Sequence, residues 1–269
     1  MKKVGIINPE IQATENSPPV LLSSPPKRNL ISYFKEFLML FLAVFCGFLA
    51  ENYRDNQSEI AYAKEYAKSL IKDLENDTVM INGTIEQKLI ILKSIDSISG
   101  LVHQGISGNM VKGSFYYHSQ IVSFSPTTIW SDATLIQITQ SGNLRYFKNA
   151  ELVNKISAYY SRQGYISGLV ESDKIKRNTT LEIKSRILNN YHYKPFSSLL
   201  PRKENEIIDS LMNVLMPLQN SDKDLLNEFA NSLENRKFYF TLVISETYPM
   251  MKSQAKELIL LLKKEYNIE

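Results

Sequence analysis

The sequence predicts an all-α fold, in which an N-terminal transmembrane helix continues into an elongated antiparallel helical bundle. Three observations lead there. The run F-L-M-L-F-L-A-V-F-C-G-F-L-A, residues Phe37 to Ala50, holds no charge, amide, hydroxyl or proline. Beyond it, apolar residues recur three, four or seven apart with Lys, Glu, Asp and Gln between them, the pattern of helices that bury one face. No proline falls between Pro26 and Pro126.

Composition narrows the function classes. A chain of 269 residues with 43% hydrophobic content can bury a core, and its ten glycines and ten prolines are too few for a disordered protein. The 31 Lys and Arg nearly balance the 28 Asp and Glu, so there is no broad basic field of the kind that binds nucleic acid. Cys46 is the one cysteine, which excludes an intrachain disulfide and any CxxC metal or redox site.

Residues 1–29 carry half of the prolines among Ser, Thr, Asn and Glu, and read as a flexible proline-rich cytoplasmic tail. Residues 30–52 read as the transmembrane signal anchor. Phe37–Ala50 alone is short of a span, but Leu30, Ile31, Tyr33 and Phe34 extend it backwards. Leu30 to Ala50 makes 21 positions, which at ~1.5 Å per residue cover roughly 30 Å, the thickness of a bilayer core. Lys35 can snorkel to the headgroups and Tyr33 can anchor there. The competing reading is the core helix of a soluble protein. The all-round apolarity favours the span, because a core helix in a protein of this size keeps a polar face.

Lys27, Arg28 and Lys35 sit close to one end of the span, whereas Glu51, Asn52, Tyr53, Arg54 and Asp55 follow the other. The positive-inside rule then places the N-terminus in the cytoplasm and the bulk of the chain outside it, the topology of a single-pass bacterial inner-membrane protein with a periplasmic domain. Phe48 at the −3 position spoils an A-x-A cleavage site after Ala50, so the anchor is expected to stay uncleaved.

Residues 53–269 read as an extracytoplasmic helical domain. Ile60, Ala63, Ala67, Leu70, Leu74, Ile81, Ile85, Leu89, Leu92 and Ile95 keep helical spacing, which predicts one long helix or two collinear ones to about Ser99. The glycine-rich stretch 100–126, with the β-prone F-Y-Y-H-S-Q-I-V-S-F, predicts an irregular connection that has room for a short strand or helical turn. Helix resumes over T-T-I-W-S-D-A-T-L-I-Q-I-T-Q and stops at Ser141, Gly142 and Asn143, with Gly142 suited to a left-handed cap. Asn149 caps a long helix whose apolar positions are Leu152, Ile156, Tyr159, Ile166, Val170, Leu181 and Leu188. A proline-containing loop, Tyr191 to Arg202, leads to a short helix Glu204 to Met216 with Ile207, Leu211 and Leu215 on one side. The last helix is expected from Asp222 to about Lys264, capped by Ser221 and bent at Pro249. There F-Y-F-T-L-V-I-S looks locally like a strand, but Leu226, Phe229, Leu233, Phe240, Ile244 and Met251 hold a helical phase across it.

The sequences F-L-A-V-F-C-G-F-L-A-E-N-Y-R, Y-A-K-S-L-I-K-D-L-E-N-D-T and S-G-N-L-R-Y-F-K-N-A-E-L-V-N-K-I-S-A-Y-Y resemble an uncharacterised family of bacterial single-span helical envelope proteins, a domain of unknown function. The resemblance covers most of the chain from Phe34 onward. It implies an inner-membrane anchor with a helical extracytoplasmic domain and brings no catalytic residue with it.

Motifs for chemistry are missing from the sequence. His103, His118 and His192 have no metal-ligand spacing, and G-x-S-x-G, G-x-x-x-x-G-K-[ST] and G-x-G-x-x-G are absent, so no catalytic, cofactor or metal residues are assigned. Asp73, Glu75 and Asp77 fall on different faces of one helix and read as a solvated charged surface. Tyr116, Tyr117, Trp130, Tyr159, Tyr160 and Tyr165 line either a core or a pocket between helices, with core favoured by their spacing. Ala43, Gly47 and Ala50 place small residues where two membrane helices can pack closely, a route to a homodimer. The stripe from Ile60 to Leu74 either continues that pairing as a coiled coil or belongs to the bundle's own core, and the second is favoured. The expected function is a membrane-anchored, non-enzymatic envelope protein that scaffolds or contacts an envelope partner. The alternative is a small-ligand-sensing domain that signals through the span.

Overall fold

The computed structural model describes residues 29–196 and 210–269. The fold is all-α apart from one two-stranded sheet. The chain divides into two compact units, Met1–Asp55 and Asn56–Glu269. The first helix, α1, runs Leu30–Gln104 without a break.

In the first unit every apolar side chain from Leu30 to Ala50 is exposed. Phe37, Phe41 and Phe45 stack on one another at i, i+4 with ring centroids 6.3 and 5.9 Å apart. Among the described residues nothing covers this segment, whereas the core helix of a soluble domain is mostly buried. It is long and apolar enough to cross a membrane, with a mean hydropathy of 1.8 over its most apolar window.

The second unit is built on three long helical rods. On α1, Ala63, Ala67, Leu70, Leu74, Asp77, Ile81, Thr84, Lys88, Ile91, Ile95, Ile98 and Val102 are buried, alternating steps of four and three throughout. The helix α4, Ala150–Ile187, repeats the device with Leu152, Ile156, Tyr159, Gln163, Ile166, Val170 and Asp173. The third rod is α5, Lys223–Leu242, continuing through a π-helical turn, Val243–Thr247, into α6, Tyr248–Tyr266. Such 3-4 spacing keeps one seam of each rod on the shared core. The stripe Ala63–Leu74 thus belongs to the bundle's own core, while Ile60 stays exposed.

Cross-helix contacts give the directions. Lys64 meets Asn267, Asn82 meets Lys252, and Asp96 meets Lys237, so α5–α6 runs antiparallel to α1. Arg186 meets Glu228 and Lys155 meets Glu257, so it is antiparallel to α4 as well. Glu59 with Lys148, and Asp77 with Tyr159, show that α1 and α4 are parallel. The chain must therefore return along the bundle between them, and residues 105–149 make that return.

The return holds the short strand allowed for within residues 100–126, extends the helical turn there to a full helix, and departs from the expectations after it. After Gly105 a strand β1, Met110–Lys112, pairs antiparallel with β2, Leu215–Pro217. The β-prone stretch that follows is a helix, α2, Gly113–Ile121, because Phe115, Tyr116 and Ser119 bury at helical spacing. Gly113 is required there: a Cβ would lie 2.1 Å from the Leu211 carbonyl oxygen. Residues 122–132 are irregular, and α3 covers only Ala133–Gln140. The stretch Thr127–Asp132 expected as helix is instead pinned by side chains from the rods, described below.

The cap at Ser141, Gly142 and Asn143 forms as expected, with Gly142 at φ +70°. Asn149 caps α4, accepting the Leu152 N–H at 3.2 Å. Leu181 is only partly buried, and Thr180, Ile183 and Ile187 occupy the core positions around it. Residues 204–209 of the short helix expected over Glu204–Met216, Ile207 among them, lie outside the described residues, and Ser210 and Leu211 are helical. Its end, Leu215–Met216, is strand, since these residues complete the sheet with β1.

Ser221 does not cap α5. Asp222 does, through Oδ1 and the Leu225 N–H at 2.9 Å. Pro249 opens α6, and the π turn just before it absorbs the missing hydrogen bond that proline imposes. The same turn explains the phase. Val243 and Tyr248 are both buried yet five residues apart, one π turn, so the core seam passes from α5 to α6 without rotating away.

Candidate functional site

The irregular strap, residues 122–132, and the first turn of α3 bring backbone polar groups against the bundle, and each must find a partner there. Arg236 of α5 supplies two. Its Nη1 donates to the Val122 carbonyl and its Nη2 to the Phe124 carbonyl at 2.9 Å. The same guanidinium is paired with Asp173 of α4 through Nε at 2.9 Å and Nη2 at 3.2 Å, and both side chains are fully buried. Ser125 donates its hydroxyl to Asp173 as well.

Lys184 donates to the Ser123 hydroxyl oxygen at 2.6 Å, and burial lowers its pKa to about 8. Farther along, Asp77 of α1 accepts the Ser131 N–H at 2.7 Å, and Asp73 accepts the Thr134 N–H at 3.3 Å. Pro126 has no N–H to give a helix, and the Ser and Thr around it have hydroxyls small enough to bond locally.

Asp77 is the first correction to the expected solvated acidic face. It has no exposure, and Tyr159 and Gln163 of α4 donate to its Oδ2 at 2.9 and 2.8 Å. Burial raises its pKa despite the lowering effect of the Ser131 N–H and the Tyr159 hydroxyl. Burial also raises Tyr159 and Tyr160, reinforced by neighbouring aspartates.

About two and three turns beyond Asp77, Thr84 and Lys88 continue the polar seam of α1. Thr84 donates to the Met80 carbonyl at 2.9 Å, so its oxygen receives the Thr128 hydroxyl at 3.2 Å. Tyr248 then donates to Thr128 across 3.0 Å, since one hydroxyl has a single proton to give. Lys88 is fully buried, and its Nζ has no hydrogen-bond partner among the described residues. It lies over the rings of Phe240 at 4.5 Å and Tyr239 at 5.2 Å. Burial lowers its pKa to about 8, with Asp173 opposing the shift and Arg236 adding to it.

Where the strap faces α4, a cleft of about 290 Å³ opens. Thr127, Thr128 and Trp130 form the strap wall. Ile166, Ser167 and Val170 form the α4 wall, and the Glu171–Lys174 pair, 3.1 Å apart, stands at its rim. Ile166 and Val170 are buried, so the floor is apolar while the rim is polar.

The residues singled out in sequence fall as follows. Tyr116 and Tyr159 are core, Tyr117, Trp130 and Tyr160 are partly buried, and Tyr165 is exposed, so Trp130 alone of this group enters the cleft. Tyr116 also closes the far end of the bundle, donating to the Pro217 carbonyl at 2.7 Å and accepting the Asn189 N–H at 3.1 Å. Asn143 donates to the Tyr66 hydroxyl at 2.8 Å, which ties the Ser141–Asn143 turn to α1. Ala43, Gly47 and Ala50 are exposed on the first unit.

His103 bonds its own helix at the Ser99 carbonyl, His118 meets the Ser94 hydroxyl at 3.1 Å, and His192 packs edge-on to Tyr116. Among the described residues no group of three or more His, Cys, Asp or Glu is placed to hold a metal. The buried charges Asp173, Lys184 and Arg236, and Lys88 beside them, were not singled out in sequence. The signal that finds them is the unbroken 3-4 phase, which continues through polar positions. No family model, no curated protein and no solved structure matches the chain.

Proposed function

We propose that this is a membrane-anchored, non-enzymatic envelope protein. In this reading the first unit spans the bacterial inner membrane from a cytoplasmic N-terminus, and the bundle stands on the periplasmic side as a scaffold that contacts another envelope protein. The observation that carries it is the complete exposure of an apolar helix from Leu30 to Ala50, which water would not tolerate and a bilayer would. The resemblance to single-span envelope proteins supports the same reading. Close packing of two spans through Ala43, Gly47 and Ala50 fits a homodimer.

A second reading, a ligand-sensing domain, is favoured by the cleft between the strap and α4. The test of the anchor is topology. With Cys46→Ala and Asn109→Cys, the exposed loop position should react with a membrane-impermeant maleimide in intact cells whose outer membrane is permeabilised. Reaction only after lysis would overturn the orientation, and recovery of the chain in the soluble fraction would overturn the span.

A further inference from the structure

We propose that the cleft between the strap and α4 is a saccharide site that holds one pyranose ring of a glycan. It lies wholly within residues 56–269, so this stands or falls apart from the membrane span. The size fits. About 290 Å³ is at the lower end of ligand sites, which run ~300–1,000 Å³, and accommodates one ring rather than an extended molecule.

The chemistry narrows the class. An apolar ligand is disfavoured, because hydroxyl, carboxylate and ammonium groups share the lining with the apolar floor. A simple anion or cation is disfavoured too, since Glu171 and Lys174 neutralise each other at the rim. What remains is a neutral ligand with one C–H-rich face and a ring of hydroxyls. Ile166, Val170 and Trp130 supply the apolar part of the lining, against which a C–H-rich face can pack.

The hydroxyls need donors and acceptors together, and both are present. Ser167 spends its proton on the Gln163 carbonyl at 3.0 Å, so its oxygen is an acceptor toward the cleft. The Thr127 hydroxyl and the Trp130 indole N–H take part in no hydrogen bond with the described residues. Glu171 accepts and Lys174 donates.

The strap wall is also preorganised. Thr128 has its proton committed to Thr84 and its oxygen to Tyr248, and Ser125 beside it is held by Asp173. A wall fixed before binding costs the ligand little ordering entropy.

Trp130 is the sole tryptophan, so its emission reports this cleft alone. The full chain, in phospholipid nanodiscs free of sugar detergents, would be titrated with methyl glucoside, N-acetylglucosamine and cellobiose, with isosmotic sorbitol as the open-chain control. At least one ring should give a saturable shift in Trp130 emission with a Kd of about 1 mM, the affinity suited to one small ring. Sorbitol should give none. Ser167→Tyr, which fills the cleft from an exposed helix position, and Thr127→Tyr, which fills it from the strap, should each weaken the response at least ~10-fold. No saturable response to any of the rings, or a response that survives both filled variants, would overturn the proposal.

Discussion

Arg236 and Lys88 are both cations with no solvent exposure in one core, and the bundle treats them in opposite ways. The guanidinium of Arg236 is satisfied by Asp173 and by two carbonyls of the strap. The ammonium of Lys88 has no hydrogen-bond partner among the described residues and lies over two aromatic rings. The difference teaches what each does for the fold. A planar five-donor group can join a helix to an irregular segment by filling several acceptors at once, and so it positions the strap. A point charge with three donors and no acceptor gives up its hydration here for the cation–π attraction and the longer-range pull of Asp173. Arg236 is structural glue, whereas Lys88 is a strain that the rest of the core supports.

The largest test breaks the Arg236 side. Asp173→Ala leaves the guanidinium buried without its counter-charge and frees the Ser125 hydroxyl, and losing one partner of a buried pair costs about 3–5 kcal/mol. Chemical denaturation of the purified chain should show a loss of that size. A loss below about 1 kcal/mol would mean that the strap carbonyls alone satisfy Arg236.

The second test titrates the Lys88 side. Its folded pKa of about 8 lies below the unfolded value of 10.5. Below pH 8 both states carry the proton and the fold bears the whole cost of the buried charge. Between pH 8 and 10.5 the unfolded chain binds more protons than the fold, so stability rises with pH, by about 3 kcal/mol for a shift of this size. Buried tyrosines such as Tyr239, raised by desolvation, oppose this at high pH because the unfolded chain loses their protons first. The clean observable is therefore the difference between the wild type and Lys88→Met across this range. That difference should shrink as pH rises from 8.

At neutral pH the same variant gives the third effect. Methionine fills the stem's volume among Tyr239 and Phe240 and removes the charge, which should stabilise the bundle by about 2 kcal/mol. A destabilised Lys88→Met would show that the ring contacts outweigh desolvation and would erase the contrast with Arg236.

The bundle was legible in sequence where its seam is apolar and illegible where the seam turns polar. Ala63, Ala67, Leu70 and Leu74 announced the core face of α1, and the helical phase through F-Y-F-T-L-V-I-S outweighed its strand propensity. Asp77 and Lys88 sit on that same seam, yet their charge suggests solvent when each residue is judged by type rather than by phase. The strap was misread for a related reason. Thr127–Asp132 has helical composition locally, and what keeps it extended is a set of donors and acceptors on α1, α4, α5 and α6, more than 40 residues away in sequence. The cleft depends on that strap, so Trp130 could be noted as aromatic but not assigned to a wall. The cap at Gly142 and the one at Asn149 were readable because they are made by residues within one turn.

The smallest effect concerns Asp77, the third charge of the seam, which stands between the other two in kind. Like Arg236 it is fully bonded, accepting from Ser131, Tyr159 and Gln163, and like Lys88 it is shifted toward its neutral form by burial. Its folded pKa lies above the unfolded 3.8, so within that window the fold keeps a proton the unfolded chain has lost. Asp77 therefore favours the fold most below the window and progressively less as pH rises through the folded value. Asp77→Asn removes this titration and keeps the acceptor for the Ser131 N–H. Its new amide protons face two donors, but the Tyr159 hydroxyl can turn to accept and the Gln163 amide can reverse, so most of the network is recoverable. The expected cost at pH 7 is about 1 kcal/mol, one hydrogen bond's worth, with the acid-side gain abolished. A loss of Arg236–Asp173 size would instead mean that the carboxylate charge itself holds the strap, and that Asp77 belongs with Arg236 as an anchor.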